Sequence, residues 1–138
     1  MGSQPHLEQP YSDAIYEVDL PAGTVAFRVG APAPPALPRL LALITAWNPG
    51  AARPGEAENR AANLRLEAEI TRHGWTWFPA RGRNAAATHV EPSFAIPDIR
   101  PGDALALARQ FGQAAIVFVA PRGGVQLLWC SAPDPPPA

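Results

Sequence analysis

The stretch LLALITAWNPG, residues 40–50, decides the fold that this sequence predicts. Its first eight residues are apolar or threonine, a run typical of a β-strand buried on both faces. Asn48, Pro49 and Gly50 should end that strand, because proline cannot continue a central ladder and glycine permits a turn. A helix is predicted to begin a few residues later. Polar side chains at such a junction lie where α/β proteins often place ligands.

The predicted helix covers about residues 56–73, and Gly74 supplies its C-terminal stop. One face carries two asparagines beside two apolar residues: Asn59, Asn63, Leu66 and Ile70. Two amides on a semi-buried face need partners, since a buried unsatisfied amide costs about 1–3 kcal/mol. A second stripe predicts contact from another direction and consists of Ala57, Ala61, Leu64 and Ala68.

Later segments predict a strand at residues 75–80, a loop at 81–88, a strand at 91–96, a helix at 103–111 and a buried strand at 114–120. Pro79 suggests an edge position for the first of these strands. A tight turn at residues 122–124 leads into a last strand at 125–130. The order predicts an α+β fold, a ferredoxin-like βαββαβ core with an added C-terminal hairpin strand. An N-terminal strand at residues 24–29 has no assigned partner, and residues 14–20 form a short strand or a turn.

The composition limits the classes of protein to which this chain can belong. The chain has 138 residues, 47% of them apolar, and a net charge of −1, which argues against a basic nucleic-acid binder. All basic residues are arginine, a usage typical of a GC-rich bacterial genome. One cysteine excludes an internal disulfide and favours a reducing cytoplasm, and no signal peptide or membrane-spanning run occurs. We therefore expect a cytoplasmic protein with a single domain at residues 11–130, disordered at residues 1–10 and 131–138, and with no membrane association.

The predicted topology gathers distant polar residues at one end of the sheet. If the first core strand, residues 40–47, runs upward, the first helix begins at the top of the sheet. The third core strand, residues 91–96, and the fourth, residues 114–120, also begin at the top. The residues predicted to meet are Asn48, Asn59, Asn63, Glu91, Ser93 and Gln113. A flavodoxin-like parallel order would instead put Glu91 and Gln113 at the opposite end.

Four motifs carry a resemblance to a known family. The segments ITAWNPG, ENRAANLRLEAEI, EPSF and FGQAAI, in this order and spacing, resemble the uncharacterised bacterial domain-of-unknown-function family numbered 3293. The resemblance covers about residues 40–119. The positions that match its motifs are Asn48, Asn59, Asn63, Glu91, Ser93, Phe111, Gly112 and Gln113. The resemblance implies no activity, so it assigns no catalytic role.

The residues support two functional hypotheses. In the first, a small polar molecule binds in a pocket lined by these amides, and Glu91 is the acid or base if the protein is an enzyme. In the second, the cluster is an internal hydrogen-bond network of a structural or protein-interaction module. Its partner surface would be the second helix stripe or the strand at residues 75–78.

Other chemistries have weak support in the sequence. His73, His89 and Glu91 lack a recognised metal-ligand spacing, so no metal site is predicted, and the cofactor is unknown. Ser93 has no nucleophile-elbow context. Asn48 could also be a turn residue that bonds its own backbone. Cys130 is expected to be a small core residue.

Overall fold

The computed structural model describes residues 13–49, 53–122 and 124–131. These residues form a mixed α+β structure with two helices and one seven-stranded antiparallel sheet that curls into a half-barrel. The helices are α1 (Glu56–Arg72) and α2 (Pro101–Gln110). The strands are β1 (Ile15–Leu20), β2 (Gly23–Phe27), β3 (Leu41–Ile44), β4 (Phe78–Arg83), β5 (Val90–Ile96), β6 (Ala115–Val119) and β7 (Val125–Trp129). No described helix is long and apolar enough to cross a bilayer.

Helix α1 has the boundaries and the buried face that its sequence predicts. Its first turn carries Glu56 and Glu58 and its last turn Arg72, charges that complement the helix dipole. The left-handed Gly74, at φ 80°, ends it. Its buried residues are the predicted set, Asn59, Asn63, Leu66 and Ile70.

The sheet has the strand order β2-β1-β4-β5-β3-β6-β7. Strand β3 therefore lies in the interior of the sheet, paired with β5 on one side and β6 on the other. All four of its residues are buried, as are all five of β6, whose outer side is covered by β7. The long apolar runs of the sequence thus mark the strands that have neighbours on both edges.

The N-terminal region forms a hairpin that extends the sheet. Strand β2 pairs with β1, and β1 pairs in turn with β4, so β1 supplies the partner that the sequence left open. The predicted edge position of β4 is therefore wrong. Pro79 is tolerated because the ladder between β1 and β4 runs only from Ala80 to Arg83, and Pro79 lies just outside it.

Strand β4 also begins later than predicted. It runs from Phe78 to Arg83, so the first three residues of the predicted loop at 81–88 belong to a strand. Arg81 is held there by Glu17 and Asp19 of β1, contacts that no local pattern reveals. The disorder predicted for residues 1–10 and 131–138 lies outside the described residues, except at Ser131, which forms a turn.

Two apolar layers lie on opposite faces of the sheet. One packs under the helices and includes Ile44, Leu66, Ile70 and Phe94, together with Cys130 in its predicted core position. The other lies on the face without helices and includes Val18, Leu43, Val117 and Leu37. Alternate residues of β3 contribute to the two layers, as the two-residue period of a strand requires.

Candidate functional site

The backbone between β3 and α1 is held by side chains. Three successive N–H groups donate to side-chain oxygens: Ala46 N to Asn63 Oδ1 at 2.8 Å, Trp47 N to Thr45 Oγ1 at 3.0 Å, and Asn48 N to Asn59 Oδ1 at 2.9 Å. An N–H that donates to a side chain is not available to a sheet ladder. Strand β3 therefore ends at Ile44, three residues before the predicted end of the strand.

Asn48 connects this segment to β5. Its backbone is left-handed at φ 46°, a conformation that asparagine adopts more readily than most residues. Its Oδ1 accepts a 2.9 Å bond from Asn59 Nδ2, and its Nδ2 donates to Glu91 Oε2 at 3.2 Å. Asn48 therefore bonds side chains from α1 and β5 at the same time.

Asn63 ties α1 to the start of β5. Besides accepting from Ala46, it donates from Nδ2 to the Pro92 carbonyl at 3.1 Å. Thr45 donates to the same carbonyl at 2.7 Å. Asn59 and Asn63 are only 3% and 8% exposed, and both ends of each amide have protein partners.

Glu91 is held by two donors on one oxygen. Its Oε2 receives Asn48 Nδ2 and also lies 3.0 Å from His89 Nε2. A carboxylate oxygen accepts, so the imidazole donates from Nε2, and in the neutral ring Nδ1 is then the acceptor. A continuous chain of hydrogen bonds thus runs from His89 through Glu91 and Asn48 to Asn59 in α1.

A cavity of about 400 Å³ opens on the helix-free face of the sheet at this same end. Five neighbouring strands line it, because the curled sheet brings β1, β4, β5, β3 and β6 around one concavity. Its apolar floor comes from Tyr16, Leu43, Ala115 and Val117. Its polar end is formed by Thr45, Asn48, His89, Glu91, Ser93 and Gln113.

Two polar atoms at the cavity have unused hydrogen-bonding capacity. Ser93 Oγ is buried and has no hydrogen-bond partner among the described residues. Gln113 donates from Nε2 to the Trp47 carbonyl at 3.4 Å, and this bond leaves its amide oxygen available as an acceptor. Both residues line the cavity, so a bound molecule could satisfy them.

The structure separates the six predicted site residues into two groups. Asn48, Glu91, Ser93 and Gln113 line the cavity, whereas Asn59 and Asn63 lie behind it. His89, Tyr16 and Thr45 line the cavity but were not among the predicted ligand contacts. His89 lies just before β5, two residues from Glu91, which is two residues from Ser93; this spacing was the available signal. Tyr16 carried no such signal, because it reaches the cavity only through the pairing of β1 with β4.

The strongest electrostatic shifts occur away from the cavity, on β1 and β4. Arg81 donates to Glu17 at 2.7 Å and to both carboxylate oxygens of Asp19 at 2.8 and 3.0 Å. The Arg81 guanidinium lowers the pKa of Asp19 to about 2 and also lowers the pKa of Glu17. The two carboxylates in turn raise the pKa of Arg81. This cluster joins the N-terminal hairpin to the rest of the sheet.

Two further features concern possible sites. No group of three or more metal-ligating side chains occurs in residues 13–49, 53–122 and 124–131. Burial raises the pKa of the Cys130 thiol, which makes it less reactive than an exposed cysteine.

A second concavity, a groove of about 530 Å³, lies between α1 and the β4–β5 strands. Leu64 of α1 and Val90 of β5 line it, with 67% and 40% of their surface exposed. Trp47 and Trp77 also contribute, and Trp77 packs edge-on against Phe94 with ring centroids 4.8 Å apart. The remaining residues of the second helix stripe, Ala57, Ala61 and Ala68, are exposed.

The chain was compared with known proteins. Residues 44–116, just over half of the chain, match the family described as "Protein of unknown function (DUF3293)". No curated protein and no solved structure matches the chain. The matched segment contains all six predicted site residues, from Asn48 to Gln113. The chain therefore belongs to the DUF3293 family, as its sequence resemblance indicated.

Proposed function

We propose that this domain binds a small molecule with an apolar body and a polar group in the cavity on the helix-free face. The observation that carries the proposal is that Ser93, whose buried Oγ has no hydrogen-bond partner among the described residues, belongs to the lining of that cavity. A buried hydroxyl without a partner costs about 1–3 kcal/mol, a cost that a ligand could offset.

The composition and size of the cavity support the same proposal. Ligand pockets are typically concave and mostly apolar, with a few convergent polar groups and volumes of about 300–1,000 Å³. Here Leu43 and Val117 provide apolar floor, and Ser93, Gln113 and Glu91 provide donors and acceptors. Two carboxylates and two arginines also line the cavity, so their charges balance, and a neutral polar group suits the amides best.

The proposed roles of the six residues differ. Ser93, Gln113 and Glu91 would contact the ligand, Asn48 would position Glu91, and Asn59 and Asn63 would hold the segment that carries Asn48. This division follows from their hydrogen bonds, since all three asparagines have protein partners at both ends of their amides.

The alternative is a structural or protein-interaction module. Two observations favour it: the asparagines form an internal network, and Leu64 and Val90 expose apolar surface on one groove. The two roles make different demands on the same residues. A ligand site requires Ser93 and Gln113 for binding but not for stability, whereas a purely structural network would need every member for stability.

A thermal-shift screen against nucleotides, amino acids, sugars and small aromatic acids and amines tests the proposal. A ligand at 100 times its dissociation constant should add about 2.7 kcal/mol, which for this size of domain raises the unfolding midpoint by roughly 10 °C. The shift should fall at least severalfold in Ser93→Ala and Gln113→Ala. Each of these variants should unfold near the wild-type midpoint without ligand.

Thr71→Ala is the matched control, because Thr71 is exposed near the end of α1 and does not line the cavity. It should keep the full shift. Compounds that stabilise the wild type and both cavity variants equally would place binding elsewhere. No stabilisation by any compound, together with unstable Ser93→Ala and Gln113→Ala variants, would favour the structural alternative.

We also propose a ferredoxin-like description of the core. The neighbours β4-β5-β3-β6, with α1 and α2 following β3 and β5 in the chain, support it. The N-terminal hairpin and β7 would then be additions at the two edges of that core.

A further inference from the structure

We propose that His89 is a proton acceptor for the molecule bound in the cavity, with Glu91 and Asn48 as its positioning residues. This inference rests on the proposed function and adds a chemical activity to it. It moves the acid–base role from Glu91, where the sequence suggested it, to the neighbouring imidazole.

The hydrogen bonds of Glu91 support this assignment. Its Oε2 accepts from both Asn48 and His89, at 3.2 and 3.0 Å. Glu91 thus accepts from the ring on the same oxygen that Asn48 holds, and this geometry orients the ring. A carboxylate that fixes one nitrogen of an imidazole selects the tautomer in which the other nitrogen has a free lone pair.

The second nitrogen of His89 is available to a bound molecule. Nδ1 has no hydrogen-bond partner among the described residues, and His89 lines the cavity. The backbone of His89 is also fixed, because its N–H donates to Asn84 Oδ1 at 3.0 Å and its carbonyl accepts from Asn84 N at 3.2 Å. The ring is thus anchored at its backbone and at Nε2, as an effective general base requires.

The support for Glu91 extends into the core. Asn48 is itself bound twice by Asn59, through its backbone N–H and its Oδ1, and Asn59 is 3% exposed. The His89 side chain is itself 55% exposed, so the buried support reaches it through Glu91 and Asn48. The charged side chains that line the cavity around His89 are Asp13, Arg53, Arg83 and Glu91.

The chemical step is a proton abstraction. An acidic O–H, N–H or C–H of the bound molecule would give its proton to Nδ1 of His89 and keep the bonding electron pair. The resulting imidazolium would remain bonded through Nε2 to the Glu91 carboxylate, which compensates the new charge. No further reactant is required, because the proton returns to the product or to water.

The ring-nitrogen tautomer can be measured without a ligand. Long-range nitrogen–proton NMR of the full chain should show His89 as the Nε2–H tautomer, with Nδ1 unprotonated. In Glu91→Ala this preference should weaken, so that the Nδ1–H form becomes populated as it is in a free histidine side chain. A His89 that carries its proton on Nδ1, or whose tautomer does not change in Glu91→Ala, would overturn the proposal.

A nitrobenzisoxazole provides the probe for proton transfer, since its aromatic body suits the apolar floor. When a base removes its ring proton, a nitrile forms and the N–O bond breaks. The electron pair of that bond stays on the oxygen, which gives the coloured phenolate. The wild type should accelerate this reaction about a hundredfold more than His89→Gln does. His73→Gln is the matched control, because His73 stacks on Trp75 outside the cavity, at a ring distance of 4.4 Å.

The pH profile distinguishes a positioning residue from a structural one. The acceleration should disappear in acid, where a protonated imidazole has no lone pair, and Glu91→Gln should shift the midpoint of that loss. A rate equal in wild type and His89→Gln would overturn the assignment. If both proteins nonetheless bind the probe, by quenching of tryptophan fluorescence, the ligand-binding proposal survives that failure. If neither protein binds it, the tautomer measurement still decides the role of His89.

Discussion

At the scale of single residues, Asn63 shows how an amide can replace part of a sheet ladder. It accepts from the Ala46 N–H and donates to the Pro92 carbonyl, so one buried side chain satisfies two backbone groups. Both groups belong to segments where the ladder between β3 and β5 has already ended. Asparagine is a poor helix former, so its presence in α1 reflects this demand.

Replacing Asn63 by alanine should therefore destabilise the protein by about 1–3 kcal/mol, because two backbone groups lose their partners. Urea unfolding measures the change. Arg65→Ala on the exposed face of the same helix is the control and should change stability by less than about 0.5 kcal/mol. An Asn63→Ala protein as stable as Arg65→Ala would show that water replaces the amide without cost.

At the scale of secondary-structure elements, the pairing of β1 with β4 depends on a glycine. Gly82 lies directly opposite Tyr16, and a Cβ atom at Gly82 would lie 3.0 Å from Tyr16 Cε1. The ring is buried and stacks on Phe27, with centroids 6.2 Å apart, so it cannot move freely. An aromatic ring that covers a glycine across a strand pair is a known way to fix register.

Gly82→Ala should therefore cost about 1–3 kcal/mol and alter the cavity, because Tyr16 lines it. Gly102→Ala in α2 is the matched control, since nothing lies within 4 Å of a Cβ added there. This control should leave stability unchanged or raise it by up to about 1 kcal/mol. Equal stability of the two variants, measured by chemical denaturation, would contradict the packing of Tyr16 on Gly82.

At the scale of the whole molecule, ion pairs attach the N-terminal hairpin to the sheet. Arg81 lowers the pKa of Asp19 to about 2 and lowers that of Glu17. A carboxylate whose folded-state pKa is depressed contributes stability above its unfolded-state pKa and loses that contribution as the pH falls through the folded-state pKa. The contribution of Asp19 should therefore be complete above about pH 4 and fade towards about pH 2.

Asp19→Asn should thus destabilise the protein near about pH 6 but much less near about pH 2. The side chain of Asp19 is 38% exposed, so solvent screening limits the effect at the higher pH to about 0.2–1 kcal/mol. Denaturant unfolding at both pH values measures the difference. A penalty for Asp19→Asn that does not depend on pH would show that the ion pair adds no stability.

The sequence by itself determined the features that depend on local patterns. Local patterns specify three of the elements: apolar runs mark β3 and β6, and a helical period with a glycine stop marks α1. The order of the elements along the chain predicted which polar residues meet. Asn48, Glu91, Ser93 and Gln113 lie at one cavity for this reason. Family membership also followed from the sequence.

Only the tertiary structure decided the features that depend on long-range pairing. The partner of β1, the interior position of β4 and the place of Tyr16 at the cavity all result from the pairing of β1 with β4, more than 60 residues apart in the chain. No local pattern encodes such a pairing, because backbone hydrogen bonds carry no sequence information. The same reason explains why Asn59 and Asn63 lie behind the cavity: three of their four partners are backbone groups, and all four are brought within reach only when the chain has folded.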